Sequence, residues 1–185
     1  EVAASATTSV DIAHFSNSND VVKIKHALDG LGSGRTSIFD ASNNEDIRLS
    51  AQSNSWFNAG DVGIGTTGPS EKLEVAGNIK IQAALLSNQE NTDIDSAAAE
   101  VVAQVSTTYT AAFFDFVVKK GTNVRSGTVY ACHDGTNVEF TETSTNDLGD
   151  TSDVTLSVDK TSTNLRLIAT VTSDDWSVKS LIRAI

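Results

Sequence analysis

The chain has 185 residues and a mass of 19.5 kDa, a length typical of one ordinary domain or two small ones and too short for a large multidomain enzyme. With 13 basic and 24 acidic residues, its formal net charge of -11 repels nucleic-acid phosphates and argues against a nucleic-acid partner. Its 22 serines, 21 threonines, 13 asparagines and 12 glycines favour short strands joined by tight turns, which predicts an all-β fold.

Membrane insertion, secretion and disulfide chemistry find no support in the sequence. No apolar run approaches the ~20 residues of a membrane span, and no basic start precedes a hydrophobic segment as in a signal peptide. Because residue 1 is Glu rather than Met, we expect the chain to be a fragment of a longer protein. The single cysteine, Cys132, excludes an intrachain disulfide and a cysteine-based zinc cluster, and we expect it to be a small core residue.

Residues 1–80 contain only thin strand patterns. Their apolar residues come in short alternating sets between polar turns, with 8 of the 12 glycines and the only proline: Val22/Ile24/Leu28, Ile47/Leu49/Ala51, Val62/Ile64, Leu73/Val75 and Ile79/Ile81. Each strand offers two or three apolar side chains, too few for a thick core. Such strands become stable when several chains supply each other's core, so we predict that residues 1–80 are an oligomeric shaft segment.

The remainder of the chain divides into a connector and a richer β-region. Residues 81–99 are alanine-rich at both ends with an acidic middle, and we expect a connector with one or two helical turns. Residues 100–185 predict a small antiparallel β-sandwich head. Its candidate strands are 100–106, 110–120, 126–134, 137–143, 153–159, 164–172 and 176–184. Turns are predicted at Lys120–Asn123 and His133–Thr136, where glycine permits a positive φ.

Inward-facing residues follow from alternation along these strands. The predicted inward sets are Ala112/Phe114/Phe116/Val118, Val129/Ala131, Val138/Phe140, Val154/Leu156/Val158, Leu165/Leu167/Ala169/Val171 and Trp176/Val178/Ile182. About 85 residues with this many bulky apolar groups suffice for a small sandwich.

The segment 58–80 reads NAGDVGIGTTGPSEKLEVAGNIK and carries a specific motif. It resembles the glycine-rich GIGTTxP segment of bacteriophage tail-fibre and other virion appendage proteins. Thirteen positions are in register over about 20 residues, among them Gly63, Gly65, Thr66, Pro69, Leu73 and Gly77. Downstream, VVKKGTNVRSGTVYACHDGTNVEFTET resembles the small C-terminal β-modules of marine-phage structural proteins.

This resemblance implies a homotrimeric, elongated β-fibre that leads to a compact head and attaches a virion to its host. The expected location is the virion tail, and the expected partners include other tail or baseplate proteins. The residues agree with that picture, because Gly63 and Gly65 remove side chains where three backbones would crowd an axis. Pro69 fixes the turn before the strand that carries Leu73 and Val75.

Enzymatic, nucleotide and metal chemistry are each represented by a weak pattern. Residues 63–68 match G-x-G-x-x-G, but Pro69 and a strand pattern follow where a nucleotide site needs a helix. His26 is in register with Val22, Ile24 and Leu28, so copies could meet on an axis around an ion, although a structural histidine is the favoured interpretation. Glu139 and Glu142 point to opposite faces of a strand, unlike a glycosidase pair. We therefore predict no catalytic residue, no cofactor and no metal.

Receptor binding is predicted in two loops of the head. Loop 172–176 offers Asp174 and Asp175 beside Trp176, and loop 143–153 offers Asn146 and Asp147. Trp176 also fits an inward row with Val178, which is the favoured interpretation. For Trp56, sugar stacking and a structural role remain equally open. Residues 81–185 carry 7 basic and 14 acidic side chains, so a neutral glycan or an outer-membrane protein is a better receptor than an anionic polysaccharide.

The sequence supports non-enzymatic attachment as the function, with two alternatives. A bacterial surface adhesin or contractile-injection fibre would share the same physical design. A polysaccharide-degrading tailspike would be an enzyme instead, and a reducing-sugar assay separates it from a binder.

Overall fold

The structure is a computed structural model that describes residues 10–19, 21–28, 32–96 and 98–185. The described residues form sixteen strands and no helix, which confirms the all-β prediction. Accordingly, this part of the chain contains no helix with the length and apolar character needed to cross a membrane. The chain divides into two compact units, Glu1–Ala76 and Gly77–Ile185.

The first unit contains two sheets. Five antiparallel strands lie side by side in chain order: β1 (Val10–Ser16), β2 (Val22–Leu28), β3 (Gly34–Phe39), β4 (Glu45–Ser50) and β5 (Trp56–Phe57). The short strands β6 (Val62–Ile64) and β7 (Leu73–Val75) pair in parallel. The alternating apolar sets predicted in this region therefore lie on strands, because each set is bounded by turn-forming residues.

The described part of the first unit has almost no buried side chains. Only Ala27 and Ser37 are buried there. Seven large hydrophobic side chains are exposed: Phe15, Ile24, Ile38, Leu49, Phe57, Ile64 and Leu73. A stable sheet normally buries one apolar face against another layer. The described residues of this unit thus contain no hydrophobic core of their own.

The second unit contains nine strands in two larger sheets. They are β8 (Ile79–Ile81), β9 (Ala84–Ile94), β10 (Glu100–Ser106), β11 (Ala111–Lys120), β12 (Asn123–His133), β13 (Val138–Ser144), β14 (Val154–Lys160), β15 (Asn164–Val171) and β16 (Trp176–Ala184). Six form an antiparallel sheet in the order β13-β12-β11-β16-β9-β8, and three form the sheet β10-β15-β14. Side chains from both sheets share one hydrophobic core that includes Phe114, Leu165, Leu167, Trp176 and Ile182.

The strands predicted over residues 100–185 are confirmed to within three residues at each end. Both predicted hairpin turns are present, with Gly121 at φ +58 and Gly135 at φ +99. The alternation rule succeeds here because one face of each strand packs on the core and the other faces solvent. The predicted inward sets are buried, apart from Val138, which is half-buried against the core, and Phe140.

The predicted connector at 81–99 is wrong. Residues 84–94 form β9, which pairs with β16 on one side and β8 on the other. Its core-facing positions include polar residues, which conceals the alternation. Ser87 is buried, and the Gln89 side chain both accepts from Gln104 N (2.9 Å) and donates to Gln104 O (2.9 Å). The second unit accordingly begins at Gly77 rather than after residue 80.

For two side chains of the second unit, the prediction of a core position is wrong. Cys132 is exposed rather than core, because it alternates with the buried Ala131 along β12. Phe140 keeps 40 % of its surface exposed, since it lies on the edge strand β13, where the core is open on one side.

Candidate functional site

The two loops predicted to bind a receptor meet at one end of the second unit. Residues 145–153 connect β13 to β14, and residues 172–175 connect β15 to β16. Thr172 donates from Oγ1 to Asp153 Oδ1 (2.7 Å), and Ser173 donates from Oγ to Asp153 Oδ2 (2.5 Å). We call these two loops together the loop end. Its parts come from distant positions in the chain and are held in direct contact.

Lys120, at the end of β11, ties the hairpin beside it to the loop end. Its Nζ donates to Ser173 Oγ (3.1 Å) and to Asp174 O (2.6 Å). Hydrogen bonds from Ser173 and Thr172, together with the charge of Lys120, hold the pKa of Asp153 below its usual value. Asp153 is therefore a carboxylate at neutral pH, and its charge is used to order the loops.

Asp174 and Asp175 take part in the same network through their links to the β9–β10 loop. Asp174 Oδ1 accepts from Ser96 N (2.9 Å) and Ser96 Oγ (2.6 Å), and these bonds lower the pKa of Asp174. Asp175 adopts a positive φ of 63° and donates its N–H to Asp95 Oδ1 (3.1 Å). Both carboxylates are exposed, so they present negative charge on an ordered backbone.

Trp176 does not belong to the surface of the loop end. Its side chain is 1 % exposed and lies in the hydrophobic core, as the alternation with Val178 predicts. The indole Nε1 donates to Ser173 Oγ (3.0 Å), and Lys120 Nζ lies 5.5 Å from the ring centroid. The ring is closed to a sugar in this structure, so the suggestion that it contacts a receptor is wrong. Trp176 instead supports the loop from beneath.

Loop 145–153 is fixed to β12 along much of its length. Leu148 makes an antiparallel bridge with Val124, and Thr145 N donates to Ser126 O (2.9 Å). Within the loop, Asp147 Oδ2 accepts from Thr151 Oγ1 (2.6 Å). A Cβ at Gly149, which has φ +72, would collide with the Asn123 side chain. Asn146 and Asp147 are exposed on this ordered loop.

One group of carboxylates among the described residues has the spacing of a possible metal site. Ligand atoms of Asp93, Asp95 and Asp175 lie within 4.8 Å of one another, and all three residues are exposed. Carboxylate oxygens are ligands for Ca²⁺. Exposed acidic groups are, however, common without an ion. The absence of a bound metal therefore stays a prediction. These three carboxylates are the first place to look for a metal ion.

The other candidate groups do not assemble into catalytic arrangements. Glu142 Oε1 lies 3.4 Å from Arg125 Nε, while Glu139 is exposed and opposite Cys132, so the two glutamates serve different faces of β13. His133 accepts at Nδ1 from Gly135 N (3.1 Å), which stabilises the turn. His26 Nδ1 lies 3.0 Å from Thr36 Oγ1. The side chain of His14 lies outside the described residues.

Trp56 has a structural role in the first unit. The Arg48 guanidinium lies 4.0 Å from its ring centroid, and the indole Nε1 donates to Glu45 O (3.3 Å). The side chain is half-buried. Its neighbour Phe57 is 54 % exposed and points to the other face of the strand.

The glycine-rich motif forms the end of β6 and the loop between β6 and β7. A Cβ at Gly63 would collide with the carbonyl oxygen of Thr66, and Gly65 has φ +78. Both glycines are thus required by the fold of a single chain. Crowding of three backbones at a shared axis is therefore not needed to explain them. The half-buried Pro69 precedes β7, and Leu73 is 60 % exposed. A strand follows the G-x-G-x-x-G match, so the helix that a nucleotide site needs is missing here.

The six-stranded sheet carries a groove that the sequence did not predict. It has a volume of about 560 Å³ and crosses the sheet face directed away from the core. Tyr130, Asp115 and Thr128 line it, and Thr128 Oγ1 donates to Asp115 Oδ1 (2.6 Å). Leu181 and Lys179 also line the groove. The sequence pattern indicates this outer face, because Asp115, Thr128 and Tyr130 alternate with residues of the predicted inward sets.

Comparisons of the chain with protein-family models, curated proteins and solved structures found no match.

Proposed function

We propose that this chain is part of a non-enzymatic attachment fibre, in which residues up to Ala76 form a shaft shared between copies and residues from Gly77 form a sandwich head. The observation that carries the proposal is the contrast in burial. The second unit closes a hydrophobic core, whereas the described first unit buries only Ala27 and Ser37 and exposes seven large hydrophobic side chains. A unit of this kind gains its missing core from other copies.

The GIGTTxP resemblance supports a virion tail appendage as the proposed setting, with a homotrimer as the proposed assembly. The glycine requirements of the loop support the motif as a folded element, since Gly63 and Gly65 are each needed for its backbone path. Other tail or baseplate proteins are then the partners that join the shaft to the virion.

Receptor contact is proposed at the loop end. Its polar groups are held by hydrogen bonds between separate loops, and ordered polar groups bind with a smaller loss of conformational entropy. Asn146, Asp147, Asp174 and Asp175 are exposed there. The excess of carboxylates over cations disfavours an anionic polysaccharide, so the proposed receptor is a neutral glycan or an outer-membrane protein. Copies of the head add avidity to weak single contacts.

Cell binding tests the proposal. The full chain, labelled with a fluorophore, is added to intact cells of a panel of Gram-negative bacteria, and binding is measured against concentration by flow cytometry. We expect saturable binding to some members of the panel and no release of reducing sugar from their surface polysaccharides. Asn146→Ala is expected to weaken binding, whereas Glu139→Gln, an exposed change away from the loop end, leaves it unchanged.

Two results would contradict the proposal. Catalytic release of reducing sugar would identify the polysaccharide-degrading alternative. An absence of binding across the panel, with a protein that is folded by circular dichroism, would remove attachment as the function. A bacterial adhesin or injection fibre would give the same binding result, and the neighbouring genes separate that origin from a virion.

A further inference from the structure

An apolar row crosses the whole five-stranded sheet of the first unit. The backbone register places Phe15 opposite Ile24, Ile24 opposite Ile38, Ile38 opposite Ile47, and Ile47 opposite Phe57. Directly opposite residues in a sheet point to the same face. Every strand from β1 to β5 therefore contributes one large apolar side chain to a single line. Phe15 and Phe57 at its ends are 62 % and 54 % exposed.

A second row runs beside the first on the same face. Ala13 is opposite His26, His26 is opposite Thr36, and Thr36 is opposite Leu49. The contact of 3.0 Å between His26 Nδ1 and Thr36 Oγ1 agrees with that register. Neither row contains an acidic residue, a lysine or an arginine. We call the surface made by the two rows the uncharged face.

The opposite face of the same sheet carries charge. Arg48 pairs with Glu45 there and lies over the Trp56 ring at 4.0 Å. The buried Ser37 donates to the same carboxylate of Glu45. Hydrogen bonds from Arg48 and Ser37 outweigh burial and lower the pKa of Glu45. The five-stranded sheet thus has one face that carries charge and one that does not.

The net charge of the chain bears on how other copies of it can cover the uncharged face. The chain carries a net charge of -11, so two copies repel each other wherever their charged surfaces meet. This repulsion is smallest where charge is absent, and burial of apolar surface there favours contact between copies. The uncharged face combines both features in every copy.

The uncharged face is of limited size. Five strands about 4.8 Å apart and about six residues long give a face on the order of 400 Å². A pair of such faces buries on the order of 800 Å², less than a standard stable interface, so association through this face is expected to depend on protein concentration.

We propose that copies of this chain associate through the uncharged face, with the two rows of each copy packed against those of its neighbours. This inference rests on the proposed assembly of the chain into a shaft, and it names the surface that performs the assembly. The charged face with Arg48 and Trp56 then lies outside the contact between copies.

A pair of leucines provides a matched test. Leu49, on the uncharged face, is 50 % exposed, and Leu181, on the outer face of the six-stranded sheet, is 49 % exposed. Leu49→Asp and Leu181→Asp introduce the same charge at strand positions of equal exposure. Light scattering coupled to size exclusion gives the mass of each full-length variant. We expect Leu49→Asp to dissociate to single chains at a concentration where the wild type is assembled, and Leu181→Asp to keep the wild-type mass.

The possible results distinguish a wrong interface from a wrong assembly. If the wild type has the mass of one chain, the proposed assembly fails and this inference fails with it. If the wild type is assembled but Leu49→Asp keeps its mass, the uncharged face is not the interface while the assembly stands. Loss of assembly in Leu181→Asp alone would assign the interface to the six-stranded sheet instead.

Thiol labelling keeps the inference testable if Leu49→Asp does not fold. Phe57→Cys places a thiol at the end of the first row, and the natural Cys132, which is exposed, serves as the internal reference. We expect position 57 to react at least tenfold more slowly than Cys132 in the assembled protein. Equal rates in the assembled protein would show that the face is uncovered and would overturn the inference.

Discussion

Gly127 is a single residue on which the second unit depends. A Cβ at this position would collide with the carbonyl oxygen of Thr143 and lie 2.8 Å from Ser144 Cα and 3.0 Å from Phe116 Cζ. Because two of these atoms belong to the backbone of the paired strand, the sheet itself must shift to accept a methyl group. We expect Gly127→Ala to lower the free energy of unfolding by about 2 kcal/mol or more.

Chemical denaturation monitored by circular dichroism measures this change. Gly68→Ala is the matched control, because a Cβ there meets nothing within 4 Å and no positive φ is involved. Equal stability of Gly127→Ala and the wild type would mean that β12 and β13 are not paired as described.

Asp134 gives the second unit a defined response to acid. Hydrogen bonds from Asn137 and Thr136 lower the pKa of Asp134 from 3.8 to about 2. A depressed folded-state pKa adds stability above the unfolded-state pKa, and that stability is lost as the pH falls from about 4 to about 2. The stability advantage of the wild type over Asp134→Asn is therefore expected to be constant from pH 5 to 7 and to shrink below pH 4.

Urea unfolding at a series of pH values tests this expectation. Glu139→Gln, an exposed carboxylate on the adjoining strand, is the control for loss of a surface charge. An advantage of the wild type that grows on acidification would contradict the assignment of the hydrogen-bonded turn.

At the scale of the element, β9 decides where the head begins. This strand lies between β16 and β8, and its Ile94 is fully buried opposite Trp176. A fragment that starts at residue 100 removes one neighbour of β16 and exposes apolar core. We expect residues 77–185 to unfold cooperatively and residues 100–185 to lack a cooperative transition. Calorimetry on the two fragments makes the comparison, and a cooperative transition in residues 100–185 would show that β9 is dispensable.

The difference between the predicted and observed elements has a physical origin. The strands after residue 100 could be predicted because their core-facing positions are almost all apolar. β9 could not, since Ser87, Gln89 and Asn91 occupy its core-facing side and find partners only in the folded structure. Gln89 completes the backbone hydrogen bonds of Gln104, and Asn91 Nδ2 donates to Glu100 Oε2 (2.8 Å). Both partners belong to β10, the edge strand of the other sheet.

The candidate site was predictable in its loops but not in its contacts. The polar runs at 143–153 and 172–176 indicated exposed loops, and both are loops. Their association depends on strand order, which joins Ser173 to Asp153, 20 positions away, and to Lys120, 53 positions away. The uncharged face escaped for a similar reason. Each strand shows only a few apolar residues in sequence, and only the register places Phe15 and Phe57 at the two ends of one row.

At the scale of the whole molecule, the two units are expected to differ in how they depend on concentration. A unit that takes its core from other copies gains stability by mass action, whereas a unit with its own core does not. We expect one unfolding transition whose midpoint rises with protein concentration and a second whose midpoint is constant. Differential scanning calorimetry over a hundredfold range of concentration distinguishes them, and two midpoints that are both independent of concentration would argue against a shared shaft.

The mass of the full chain in solution tests the central claim most directly, because the shaft, the uncharged face and the multiple presentation of the loop end all depend on assembly. Light scattering coupled to size exclusion measures that mass without assumptions about shape. We predict a particle of three times the 19.5 kDa chain mass. A folded particle with the mass of a single chain, even at the highest soluble concentration, would contradict the account.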